Sequence, residues 1–162
     1  MRLRQSILCF ALAACSLPAC SIFDPDEWAE RRETLQRSRD RWAAEAAQTY
    51  RYEFRKSCEC IPGFAGDVVI EVTDDAITAL TPLREGVDVP EEQWPAFDTV
   101  EEMFQLIEIA IDERARHFDV EYDPQLGHPT LINLDFRENV VDDELTIHVS
   151  DLEILEQWPT LQ

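Results

Sequence analysis

The sequence predicts an α+β domain: an N-terminal helix, an antiparallel sheet of about five to six strands, and one amphipathic core helix packed on that sheet. Three observations carry the prediction. Tyr50-Arg51-Tyr52-Glu53-Phe54-Arg55 alternates apolar and polar residues, the period of a half-buried strand whose side chains switch face at every step. Val100, Phe104, Ile107, Ile111 and Ala115 recur at helical spacing, with Met103, Leu106 and Ala110 widening the apolar stripe. Strand-like segments come in runs instead of alternating with helices, the pattern of α+β layers.

The elements follow in order. Asp24-Pro25-Asp26 suits a helix start, because short acids accept free N–H groups and proline fits the first turn. A helix is expected from Glu27 to about Gln48, with Trp28, Leu35 and Trp42 on one stripe. That stripe is thin at its N-terminal half, so firm packing is expected only from Trp42 to Ala47. After the alternating strand, whose even positions should face the core, strands at Asp67 to Thr73 and Ala76 to Leu83 flank a tight turn at Asp74-Asp75. Residues 81–96 hold Pro82, Pro90 and Pro95 and read as a loop. Asp98 and Thr99 are N-cap residues with Glu101 and Glu102 three positions on, a capping-box spacing. The core helix should run from Val100 to Arg116. Three further strands are expected at Phe118 to Tyr122, Thr130 to Phe136 and Glu144 to Ser150, with Leu145, Ile147 and Val149 inward and a turn at Asn139 to Asp143.

Residues 1–20 differ from everything after them. Arg2 and Arg4 precede an uncharged apolar run that ends in small residues and cysteine, the layout of a secretory signal. The run is short for a bilayer span, which needs about 20 apolar residues. Leu12-Ala13-Ala14-Cys15 resembles a lipobox, which implies diacylglycerol on the cysteine sulfur, cleavage before that cysteine, and acylation of the new amino group. Cys15 is the expected attachment residue, with Cys20 in Leu17-Pro18-Ala19-Cys20 as the alternative. Several acyl chains hold firmly, since each buried CH₂ contributes about 0.8 kcal/mol. The expected organisation is therefore a signal peptide and anchor region at 1–20 and a single α+β domain at 21–162, lipid-anchored to a cell membrane or outer membrane with the domain outside the cytoplasm. Serine follows both cysteines, so no aspartate retention signal is present, and outer-membrane sorting is expected in a diderm cell.

Charge restricts the partners. The chain has 34 acidic and 14 basic residues, a net charge of −20, which repels nucleic acid and anionic headgroups. Residues 24–56 are balanced, and the excess acid lies beyond them. Arg31, Arg32, Arg37, Arg39 and Arg41 should face either lipid phosphates or the domain's own acids. A cationic protein or ligand is the partner this charge suits.

A tryptophan in the first helix (Trp42), a Tyr-Arg-Tyr-Glu-Phe strand ending in Ser57-Cys58-Glu59-Cys60, and a helix that starts Thr99-Val-Glu-Glu-Met-Phe104 form an ordered series. Tyr122-Asp123-Pro124, Gly127-His128-Pro129, Asn133-Leu134-Asp135 and Asp142-Asp143-Glu144 continue it. In this order they resemble the bacterial lipoprotein family catalogued as domain-of-unknown-function family 6174, over roughly Trp42 to Val149. The resemblance implies an envelope protein with a signal and a lipid anchor, and it carries no known reaction or ligand. His128 departs from the family pattern, which has an aromatic, usually tyrosine, at that place; histidine there reads as a wetter substitute.

Cys58 and Cys60 share the inward parity of Tyr50, Tyr52 and Phe54, and export would place them in an oxidising compartment. Their Cα atoms would lie about 6.5–7 Å apart in a flat strand, at the limit of disulfide geometry. A strained Cys58–Cys60 disulfide, pairing with Cys20, a redox or soft-metal role, and unpaired thiols all stay open. No neighbouring base for thiol catalysis is evident, and zinc usually takes four ligands where only one close cysteine pair exists. His117, His128 and His148 read as ordinary surface or helix-end residues. Asp74-Asp75, Asp123, Asp135 and Asp142-Asp143-Glu144 suit turns better than calcium. The sequence thus names no catalytic residue, no cofactor and no metal ligand. It points to a non-enzymatic binding or interaction module, with a thiol-disulfide protein acting through Cys58 and Cys60 as the alternative.

Overall fold

The computed structural model describes residues 27–45, 47–57, 67–136 and 144–155. The expected turn at Asn139 to Asp143, the signal region and Cys15, Cys20, Cys58 and Cys60 lie outside the described residues.

The chain runs α1 (Glu27–Glu45), β1 (Thr49–Ser57), β2 (Asp67–Thr73), β3 (Ala76–Pro82), a 3-10 turn (Glu91–Ala96), α2 (Val100–Asp112), β4 (His117–Tyr122), β5 (Pro129–Asp135) and β6 (Glu144–Ile154). The strands form one antiparallel sheet in the order β3-β2-β1-β6-β5-β4. Long β6 sits beside β1 and closes two antiparallel ladders into one sheet. This is the expected α+β architecture, with both helices on one face.

The alternation in β1 sets that face. Tyr50, Tyr52 and Phe54 are buried under the helices, and their cross-strand neighbours Val72, Ile70 and Val68 are buried with them. From α2, Val100, Met103, Phe104, Ile107, Ala110 and Ile111 fill the other half of the core. Burying such side chains contributes about 1.5–3 kcal/mol each.

Several boundaries differ from expectation for identifiable reasons. The core helix stops at Asp112 instead of Arg116. Arg114 takes φ 53, the Ala115 N–H reaches the Ala110 carbonyl (2.9 Å) and the Arg114 N–H reaches that of Ile111 (3.3 Å). That is a Schellman stop with arginine at the left-handed position that glycine usually takes. His117 consequently lies in β4 and not at a helix end. The Asp74-Asp75 turn is a two-residue hairpin with both residues at positive φ (50 and 61), matching the twist of its strands. β6 continues past Ser150 across a register shift, with Asp151 at φ 51.

The N-terminal half of α1 packs more firmly than its thin stripe suggests. Leu35 is buried, as is Ser38 just past the helix midpoint, and Trp28 meets Phe118 edge-on at 5.9 Å. Arg31 lies over both rings, 4.2 Å from Trp28 and 4.6 Å from Phe118. Arginine stems and cation–π contacts supply what the apolar count lacks. His128, expected at the surface, is 4% exposed.

Candidate interaction surface

Helices cover one face of the sheet, and among the described residues none covers the other. Arg51, Arg55, His117, Asp119, Glu121, Glu144, His148 and Ser150 are exposed there. Strand register arranges this face in rows. One row runs Asp67, Arg55, His148, Leu131, Glu121 from β2 to β4. The next runs Ser57, Thr146, Asn133, Asp119, and a third Glu144, Asp135, His117.

The rows are electrostatically uneven. On the β1 side, Arg55 donates to both Asp67 oxygens (2.5 and 2.6 Å) and holds that carboxyl below its ordinary range. Arg51 similarly pairs with Glu153 at 2.7 Å. On the β4–β5–β6 side the outward positions of these strands carry Asp119, Glu121, Asp135 and Glu144 and no lysine or arginine. Arg116, just before β4, reaches Asp135 at 3.3 Å. Arg116, His117, Asn133, Asp135 and Glu144 line a shallow, solvent-open cleft of about 500 Å³ there. Exposed carboxylates on such a sheet face attract cations over roughly a Debye length of about 8 Å at physiological salt.

The covered face is specialised for rigidity. The Tyr52 phenol donates to the Asp98 carbonyl, and the Tyr50 phenol accepts from the Val100 N–H at 3.3 Å. Lys56 binds the Asp98 carboxylate at 2.7 Å and the Ala96 carbonyl at 3.0 Å. Thr99 and Glu102 complete the expected capping box. Burial raises Asp98 against the pull of Lys56, and it pushes the Tyr50 and Tyr52 phenols far above their ordinary range. These groups clamp the start of α2 onto β1.

The turn between β4 and β5 is held with similar care. Asp123 accepts the Gln125 and Leu126 N–H groups (2.8 and 2.6 Å), which lowers its pKa. Gly127 presses on α1: a Cβ there would sit 2.4 Å from the Ser38 carbonyl oxygen. His128 meets Trp42 edge-on at 6.1 Å, and its buried Nδ1 has no hydrogen-bond partner among the described residues. Desolvation lowers its pKa, with Asp123 opposing.

The arginines of α1 are turned to the domain's own acids. Arg31 pairs with Glu27 and Arg37 with Glu33 along the helix, while Arg32 reaches Asp112 and Arg39 reaches Glu108 on α2. Arg41 is exposed. Among the described residues no three histidine, cysteine, aspartate or glutamate side chains are grouped to hold a metal. Asp74, Asp75, Asp123 and Asp135 serve as turn residues or an ion-pair partner and do not converge. The acidic sheet face was not assembled from sequence, although its signal was present: His117, Asp119 and Glu121 alternate with Phe118, Val120 and Tyr122.

A family model described as a family of unknown function, DUF6174, matches residues 34–154. The chain belongs to that family. The matched DUF6174 region holds the core of the sheet, α2, the Asp98 clamp and the docked 123–129 turn, so the resemblance read from motif order is borne out at the level of the family. No curated protein and no solved structure matches the chain.

Proposed function

We propose that this DUF6174 protein is a lipid-tethered envelope module that binds a cationic partner on the uncovered face of its sheet and performs no reaction. The observation that carries this reading is the one-sided sheet. Its covered face is locked by core packing, whereas its open face presents Asp119, Glu121 and Glu144 to solvent beyond the ion-paired β1 side. Complementary charge gives such a surface fast, salt-sensitive association. The α1 arginines support the same orientation of partners, since most already pair with acids and are not turned to phosphate.

The tether rests on residues 1–20. No helix among the described residues is long and apolar enough to cross a membrane. Intact mass of the protein recovered from membranes tests the tether directly: a diacylglycerol-modified Cys15 or Cys20 at the new N-terminus supports it, and an unmodified mature chain overturns it. The binding face is tested by a photo-crosslinking residue at Thr146, with one at Gln36 on α1 as control. A product specific to Thr146 and lost on combining Asp119→Lys, Glu121→Lys and Glu144→Lys is expected. Equal products from both positions would sink the reading.

The thiol-disulfide alternative depends on Cys58 and Cys60, which follow directly on β1. Alkylation and mass spectrometry decide it: a bond opened by mild reductant favours exchange chemistry, and one that resists it leaves a structural staple.

A further inference from the structure

The two edges of the sheet are guarded differently. β3 carries no charged residue, is bent by a register shift beside Thr78 and ends in proline. β4 contains no proline, and among the described residues no strand lies on its outer side. Its Asp119 and Glu121 point to the open face, while half-buried Phe118, Val120 and Tyr122 point toward α1. Between β4 and the N-terminal half of α1 lies a cleft of about 350 Å³, lined by Glu27, Glu30, Arg31 and Thr34 together with residues of β4. A strand laid along β4 would therefore meet carboxylates above and below its plane.

We propose that β4 is a docking edge for an extended basic peptide, which joins the sheet as a further strand. Lysine or arginine side chains on one face of the peptide would reach Asp119 and Glu121, and those on the other face Glu30, next to Glu27 and its own partner Arg31. Backbone pairing supplies affinity, and the alternation of side chains supplies register. Two observations select this occupant. A second copy would bring the same acids to the same edge, and like charges across strands destabilise pairing. In addition, Arg31 is taken up by Glu27 and by the Trp28 and Phe118 rings, and among the described residues no ion pair engages Glu30, Asp119 or Glu121, so their charge is left for a basic strand. The proposal rests on the acidic-face reading and places the partner at the β4 border of that face.

The test uses the full chain and two synthetic peptides of repeating Lys-Lys-Val-Val, which sets lysine on both faces of a strand, one of them methylated at every backbone amide. The unmodified peptide is expected to bind and to protect β4 amides from hydrogen exchange. The methylated peptide, equal in charge and unable to donate main-chain hydrogen bonds, should bind about tenfold more weakly or worse. Combining Asp119→Lys with Glu121→Lys should weaken the unmodified peptide similarly, whereas Glu85→Lys with Asp88→Lys, an equal change of charge away from β4, should not. Equal binding of the two peptides overturns edge pairing and leaves the acidic-face reading standing. Equal weakening by both pairs of substitutions overturns both, because net charge alone would then explain binding. No binding, or protection elsewhere than β4, overturns edge pairing.

Discussion

The imidazole of His128 occupies a place better suited to a hydrocarbon ring. It is enclosed by Trp42 and the 123–129 turn, its Nδ1 lacks a partner among the described residues, and a buried unsatisfied polar atom costs about 1–3 kcal/mol. The charged group that acts on it is Asp123 on its own turn, which favours the charged form. Because desolvation dominates and lowers the pKa, the unfolded chain binds the proton more readily than the folded one. Stability from this site is therefore complete above the ordinary histidine value of 6.5 and is lost as pH falls through the lower folded value. Urea unfolding measured across that window should show the decline, and His128→Phe should flatten it; an unchanged slope would assign the dependence to another group. Gly127 is constrained in a different way. With φ 86 and the Ser38 carbonyl in the path of any Cβ, Gly127→Ala should destabilise by about 2–3 kcal/mol, visible as a lower denaturant midpoint with unchanged slope. The family resemblance already marks the His128 position as an aromatic's place, whereas the Gly127 contact is not legible in the sequence, since the surface it presses on is contributed by α1, remote in the chain.

Among the elements, β1 does most to position the rest. One face of it supplies Tyr50, Tyr52 and Lys56, all bonded to the chain between Ala96 and Val100, so the strand and the start of α2 form one unit. Lys56→Met would leave the largely buried Asp98 carboxyl without its cation. We expect a loss of about 2–3 kcal/mol at neutral pH, somewhat below the range for breaking fully buried pairs. Burial already raises Asp98, so the loss should shrink as pH falls and the carboxyl takes a proton; a loss independent of pH would point to packing of the lysine stem instead. The Asp74-Asp75 hairpin offers the opposite case. Both residues adopt a left-handed backbone that costs a non-glycine residue about 1 kcal/mol. Asp74→Asn with Asp75→Gly should raise stability by about 0.5–1 kcal/mol in the same unfolding assay. Elements whose signals are local were legible: the period of β1, the stripe of α2, and the Thr99/Glu102 cap. The end of α2 was not, because Arg114 performs a turn that sequence patterns assign to glycine. Nor was the packing of α1, where Arg31 and Ser38 make contacts that a count of apolar residues does not register.

At the scale of the whole molecule, acid content was plain in the sequence, but its placement was not. The alternation in β4 and β6 marks which residues face outward, yet only the strand order shows that Asp119, Asp135 and Glu144 come from neighbouring strands, with Glu121 continuing the same face. Such a face must weaken the fold that carries it. With 34 acidic and 14 basic residues, repulsion acts across the whole surface, whereas exposed pairs such as Arg37–Glu33 and Arg51–Glu153 contribute about 0–1 kcal/mol each. Both effects are screened by salt, whose Debye length falls from about 10 Å at 0.1 M to about 3 Å at 1 M. Long-range repulsion is lost first, because paired groups lie within 4 Å and carboxylates on neighbouring strands lie farther apart. Added sodium chloride should therefore raise the thermal midpoint of the full chain at neutral pH. The variant combining Asp119→Lys, Glu121→Lys and Glu144→Lys should start from a higher midpoint and gain less from salt. A midpoint that falls with salt would mean that the ion pairs outweigh the repulsion, and that the acidic face imposes no cost on folding.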